Sequence, residues 1–207
     1  MSYFTAYIPQ ILFKCWEHLY ISLISVGLGV IFAVPLGALL AKMRHGSRLI
    51  ISIVSFLQTI PALALLSLMI PLFGIGKIPA IATLFLYSLL PILRNTYTGI
   101  RSVDPIFTDT ADGMGMSKFQ TLILVELPLS LGVIMAGIRV STVYVISWAT
   151  LTAYIGGGGL GDFIFNGLTL YKTDLLLMGT IPVTILALSS DQIFKVLEKK
   201  FTVPRAN

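Results

Sequence analysis

Few residues in this chain are equipped for covalent or metal chemistry. It has two histidines, His18 and His45, and one cysteine, Cys15, with no metal-ligand spacing among them and no possible internal disulfide. Neither a glycine-rich phosphate loop ending in Gly-Lys-Ser/Thr nor a His-Glu-x-x-His helix is present, so catalysis is not expected. What remains suits binding and motion. Gln58, Thr59 and Pro61 place hydrogen-bonding groups and a helix breaker inside an apolar run, where carbonyls freed by proline need protein or water partners. They fit either a packing kink or the lining of a solute path. Tyr144 and Trp148 stand four residues apart, on one helical face, a spacing commoner in packing or lipid contact than in a site. Four consecutive glycines, Gly156 and Gly157 first among them, cannot make a rigid helix; they form a flexible loop or a small re-entrant turn that docks or gates.

The elements that carry these residues belong to a membrane. The chain is 56% hydrophobic and 11% charged, against about 25% charged in soluble domains. Charge-free windows at 19–41, 49–76, 78–93, 140–161 and 175–190 compare with the about 20 residues a spanning helix needs. The fold class expected is therefore all-α integral membrane with five transmembrane helices; continuous apolar runs do not suit barrel strands. Residues 1–18 read as an interfacial amphipathic segment or as an extension of the first helix, residues 19–194 as the transmembrane domain, and 195–207 as a tail.

Basic residues set the orientation. Lys42, Arg44, Arg48, Arg94, Arg101, Lys118, Lys195, Lys199, Lys200 and Arg205 fall on one side, and Lys14, Lys77 and Lys172 on the other. The richer side is the cytoplasm, giving an outside N-terminus and an inside C-terminus. These charges are expected to contact anionic lipid, with no nucleic acid as partner. Arg139, near the start of the fourth window, is expected to snorkel to the headgroups.

The longest polar connection, 95–128, then lies inside. Asp104 caps a helix with Pro105 at its first position, and Phe107, Ala111 and Met114 repeat at helical spacing. Gly113 and Gly115 interrupt that helix; Ser117 and Gln120 form a capping box that starts a second, expected to break at Leu127 and Pro128. The apolar stripe packs on the chain's own helices or receives a partner.

Asp109-Thr110-Ala111, Gly115 and Val125-Glu126-Leu127-Pro128 resemble the cytoplasmic signature of ABC importer permeases: Glu-Ala-Ala, three residues, Gly, nine residues, Ile, any residue, Leu-Pro. The spacing is the same, with Asp, Thr and Val replacing Glu, Ala and Ile. "QTIPALALL", "GMGMSKFQ", "ELPLSLGVIMAGIR" and "AYIGGGGLGDFIFNGL" look similar to the permeases of glycine betaine, carnitine and choline importers.

The resemblance implies that Asp109, Thr110, Ala111, Gly113, Met114, Gly115, Leu127 and Pro128 belong to a coupling segment that docks on a cytoplasmic ABC ATPase dimer. ATP and Mg would be bound by that partner, with no cofactor in this chain. It also implies a second permease subunit, either a similar chain or a second copy, and a separate extracellular or periplasmic substrate-binding protein. Gln58, Thr59, Pro61, Tyr144, Trp148, Gly156 and Gly157 become candidates for the path or its gate. For a methylated cation, the two aromatic rings supply cation–π faces. The alternatives are an ABC permease for another solute such as an amino acid, an ion-coupled carrier or channel, and a nontransporting scaffold. A carrier would more naturally show midplane acids, whereas Asp162, Asp174 and Asp191 flank window ends.

Overall fold

The computed structural model describes residues 2–43 and 45–201, with side chains from Tyr7 onward. Arg44, Arg205 and the 202–207 end of the expected tail lie outside the described residues. Every regular element among the described residues is helical. The helices are α1 (Ser2–Lys42), α2 (Ser47–Leu57), α3 (Ala62–Phe73), α4 (Lys77–Arg101), α5 (Pro105–Gly113), α6 (Lys118–Thr121), α7 (Leu127–Trp148), α8 (Gly161–Thr169) and α9 (Thr173–Phe201). A π turn, Leu122–Glu126, joins α6 to α7, and a 3-10 turn, Ala149–Ile155, follows α7. Among the described residues, four stretches are long and apolar enough to cross a bilayer: Tyr7–Lys42, Lys77–Arg101, Lys118–Ile155 and Thr173–Phe201. The bent pair α2–α3 makes a fifth if it counts as one span.

α1 runs unbroken through residue 18. The α2–α3 pair bends by 92°. Its cause is local: Gln58, Thr59 and Ile60 donate backbone bonds three residues back, and Pro61, extended at φ −56° and ψ 137°, starts α3 in a new direction. Lys42 pairs with Glu126 near one end of α1, while Lys77 reaches Glu17, 2.7 Å away, nearer the other. The bent pair therefore carries the chain from one end of the bundle towards the other.

Small and hydroxyl residues let α1, α4 and α7 approach closely, the packing device available where lipid removes the usual hydrophobic drive. A Cβ added at Gly29 would lie 2.1 Å from Ser88 Oγ, one at Gly37 2.8 Å from Thr96 Cβ, and one at Gly137 2.5 Å from Asn95 Cβ. Ser141 donates to the Ser88 carbonyl at 3.1 Å, and Ser25 donates to the Ile81 carbonyl at 3.3 Å, so hydroxyls stitch all three helices. Ile21, Ala33, Leu40, Leu84, Ile92, Ile134 and Val145 fill the core between them.

One expectation is corrected, and another residue gains partners. Pro128 does not break the chain: it sits in the first turn of α7, and the wide π turn before it absorbs the missing N–H and the ring's steric demand. The helix is thus continuous from Lys118 to Ile155. Arg139, expected to snorkel, is held by partners within the protein. It makes a two-pronged bond to Asp191 of α9, Nε to Oδ1 at 2.6 Å and Nη2 to Oδ2 at 2.9 Å, and a third contact to Glu198 at 3.2 Å. A planar guanidinium matches a carboxylate edge, and two turns of α9 bring both acids to it.

Candidate functional site

The polar segment between α4 and α7 folds into a compact elbow at one end of the bundle. Asp104 accepts the Ile106 N–H at 3.0 Å, and Pro105 opens α5, as the capping pattern predicts. α5 ends in a Schellman motif: Met116 N–H donates to the Ala111 carbonyl and Gly115 N–H to the Asp112 carbonyl, both at 3.0 Å. That geometry puts Gly115 at φ +77°, a left-handed backbone that favours glycine. Gly113 is different. It is the last residue of α5 rather than an interruption, and the turn follows it. The capping box is present in both directions: Ser117 N–H donates to Gln120 Oε1 at 2.8 Å, and Gln120 N–H to Ser117 Oγ at 3.3 Å.

The expected apolar stripe is divided. α5 packs on α6 and the π turn, which buries Ala111 completely, while Phe107 and Met114 stay exposed beside Ile106 and Phe119. Asp109, Thr110, Gly113, Gly115 and Pro128 are exposed and Leu127 is half-buried. The elbow is anchored by a contact that sequence patterning missed: Lys42, at the end of α1, pairs with the buried Glu126 of the π turn. Lys42, Thr108, Asp112, Lys118 and Thr121 line a cleft of about 270 Å³ beneath it. An anchored base and a protruding apolar tip can bear load from a docked partner; nothing in the arrangement is a nucleophile paired with a base.

The second group of candidates lies within the bundle. Gln58 Nε2 donates to the Tyr87 carbonyl at 2.7 Å, and the Tyr87 hydroxyl donates to the Ile60 carbonyl, so α4 satisfies backbone and side chain at the α2–α3 break. Thr59 and Pro61 remain exposed there. Tyr87 also meets Trp148, whose ring stacks with that of Tyr144. Tyr87 was not singled out from sequence, since a tyrosine in an apolar helix carries no marker of its bond to a distant break.

Gly156 and Gly157 stand further along, past the 3-10 turn. Gly156 adopts φ +73°, and Gly157 N–H donates to the Thr152 carbonyl at 2.9 Å. The glycine loop is docked: Gly159 N–H donates to Glu17 Oε2 and Leu160 N–H to His18 Nδ1, each at 3.3 Å, while His18 Nε2 meets the Ile146 carbonyl at 2.8 Å. The Nε2–H tautomer satisfies both contacts. Glu17 is in turn flanked by Lys14 at 2.8 Å and Lys77 at 2.7 Å, and Lys14 reaches Asp162 at 2.6 Å. The structure thus brings Gln58, Tyr87, Trp148 and Tyr144 together and keeps them apart from the elbow, which begins the same long helix that the glycine loop ends.

Known proteins match this architecture. The family described as "Binding-protein-dependent transport system inner membrane component" matches residues 33–203. The chain is 53% identical over 193 residues to the glycine betaine/carnitine/choline transport system permease protein OpuCB of Bacillus subtilis (strain 168), covering 93% of this chain and 89% of that one. Over the same lengths it is 55% identical to the choline transport system permease protein OpuBB of the same organism. A further relative there, the glycine betaine/carnitine/choline transport system permease protein OpuCD, is 40% identical over 199 residues, 96% of this chain and 87% of that one. Among solved structures, a chain of the MetNI methionine ABC transporter in inward facing conformations superposes with a TM-score of 0.87 at 21% identity, over 96% of this chain and 99% of that chain. That likeness shows the fold alone, the type I ABC permease fold. The chain belongs to the family of inner membrane components of binding-protein-dependent transport systems, as a membrane permease.

Proposed function

We propose that the chain is one permease half of an ATP-driven importer of quaternary ammonium osmoprotectants, namely glycine betaine, carnitine or choline. The observation that carries this reading is the identity of 53–55% over 93% of the chain to permeases named for those compounds. The elbow supports the coupling role: its exposed tip would sit on a cytoplasmic ATPase dimer that binds ATP and Mg, and ATP binding would draw two elbows together and tilt the helices between inward-open and outward-open states. Five crossings with an outside N-terminus fit the basic-residue bias and the traverse of α2–α3 between opposite ends of α1. One chain of this size can hardly enclose a path, so a second permease is required. Two relatives from one organism share a transport-system name, which favours two similar but distinct chains. A separate receptor outside the membrane delivers the solute.

The test is reconstitution of the complete assembly in vesicles. Uptake of labelled glycine betaine, carnitine or choline should require ATP and be blocked by vanadate, and Gly115→Trp should abolish it while the permease still inserts. ATP-driven uptake of an amino acid alone would replace the substrate class, and uptake driven by an ion gradient would overturn the coupling.

A further inference from the structure

Three aromatic side chains from two helices meet where α2 gives way to α3. Tyr87 is buried at 3% exposure and its hydroxyl is fixed on the Ile60 carbonyl. Its ring meets Trp148 edge to face, centroids 4.3 Å apart at 67°, and Trp148 lies nearly parallel to Tyr144, 5.9 Å apart at 27°. The series passes from a locked ring, through a half-buried one, to Tyr144 at 50% exposure. Tyr87 stands ten residues along α4 from Lys77, about 15 Å at 1.5 Å per residue, half of a hydrocarbon core about 30 Å thick. The ledge is therefore near mid-membrane.

Two features select its occupant. The Tyr144 hydroxyl has no hydrogen-bond partner among the described residues, and lipid offers none, so its open side faces water or a polar group of a second chain. No Asp, Glu, Lys or Arg occurs from 49 to 76, from 78 to 93 or from 140 to 161, the stretches that hold the break and the three rings. The acids that α9 sets against α7, Asp191 and Glu198, are occupied by Arg139, so an ammonium or guanidinium group crossing here would find no free carboxylate on these stretches for its N–H donors. A quaternary ammonium has no N–H to satisfy, and a π face is sufficient attraction for it.

We propose that the faces of Tyr144 and Trp148, held in place by Tyr87, form the specificity-determining ledge over which a quaternary ammonium group crosses the membrane. This deepens the import reading above and rests on it. Tyr144 and Trp148 touch the solute, and Tyr87 is a positioning residue that ties their orientation to the α2–α3 break.

The experiment uses the complete reconstituted assembly, with its receptor, ATPase and second permease prepared separately so that only this chain is altered. The chain has two tryptophans, so Trp16→Phe leaves Trp148 as the sole site for fluorinated tryptophan. Fluorine withdraws charge from the ring face with little change of shape, so a packing role would leave uptake unmoved. Initial uptake of choline or glycine betaine at saturating receptor is expected to fall stepwise with each added fluorine. Tyr144→Leu should lose about 2- to 30-fold, the range of one cation–π contact, whereas Tyr144→Phe keeps the face and should retain clearly more uptake than Tyr144→Leu. Equal losses for Phe and Leu, or uptake indifferent to fluorination, would overturn the ledge while leaving the import function intact. A parent assembly that carries none of the three compounds would overturn the import function itself, and the ledge with it.

Discussion

Gly137 shows how a single missing methyl group sets the spacing of this bundle. A Cβ there would be 2.5 Å from Asn95 Cβ and 2.9 Å from the Pro91 carbonyl, and the backbone atom has little room to yield. Gly27 lies on the same kind of apolar helix with nothing within 4 Å of its would-be Cβ. Gly137→Ala is expected to destabilise the protein by about 1–3 kcal/mol through overpacking. Gly27→Ala should be neutral or stabilise by up to about 1 kcal/mol through helix propensity. Thermal unfolding in detergent, read by tryptophan fluorescence, compares the two; an equal shift would mean that α4 and α7 are not in close contact. Arg139 makes a related point about charge. Its two-pronged bond to Asp191 predicts that Asp191→Ala weakens the α7–α9 contact, and that Arg139→Asp combined with Asp191→Arg recovers more thermal stability than either reversal alone.

At the scale of elements, the elbow and the glycine loop use backbone geometry for opposite ends. Gly115 is needed for its left-handed φ, because its would-be Cβ meets nothing within 4 Å, while Gly113 is an ordinary helical residue with equally open surroundings. Gly113→Ala should therefore leave ATP-driven uptake near the parent level. Gly115→Ala carries the left-handed cost of about 1–2 kcal/mol and should lower uptake, and Gly115→Asn should fall between them because asparagine tolerates that region. Uptake measured against ATP hydrolysis decides the order. At the glycine loop, His18 holds α1 to both Leu160 and the end of α7. His18→Phe keeps the bulk but leaves the Ile146 carbonyl and the Leu160 N–H unpaired, a loss of about 2–3 kcal/mol that a denaturation midpoint should show. Much of this was legible in sequence where the signal is local: the Asp104–Pro105 start and the Ser117–Gln120 box depend on residues within a turn of one another, and the apolar windows on contiguous runs. The partners of Arg139, Glu126, His18 and Tyr87 lie 52, 84, 128 and 27 residues away. Nothing in local patterning marks such pairs. Pro128 departs from the sequence expectation because a π turn leaves no trace in hydrophobic periodicity.

For the whole molecule, the decisive quantity is which end faces the ATP supply. The elbow tip and the turn after α8 stand at opposite ends of the bundle: the first begins the helix running from Lys118 to Ile155, and the second follows the glycine loop that ends it. Met114 at the tip is 65% exposed, and Tyr171 beyond α8 is 95% exposed with a left-handed φ of 54°. Both suit a cysteine probe, since Cys15 is the one native thiol and can be replaced by serine. In intact cells a membrane-impermeant maleimide should label Tyr171→Cys and spare Met114→Cys. Opening the membrane should expose Met114→Cys, and adding the ATPase should protect it again if the tip is the docked surface. The energetic basis is the asymmetric placement of ten basic residues against three, each of which resists transfer across the bilayer during insertion. Labelling of Met114→Cys in sealed cells would invert the molecule and remove the elbow from the reach of any cytoplasmic ATPase, whatever the solute carried.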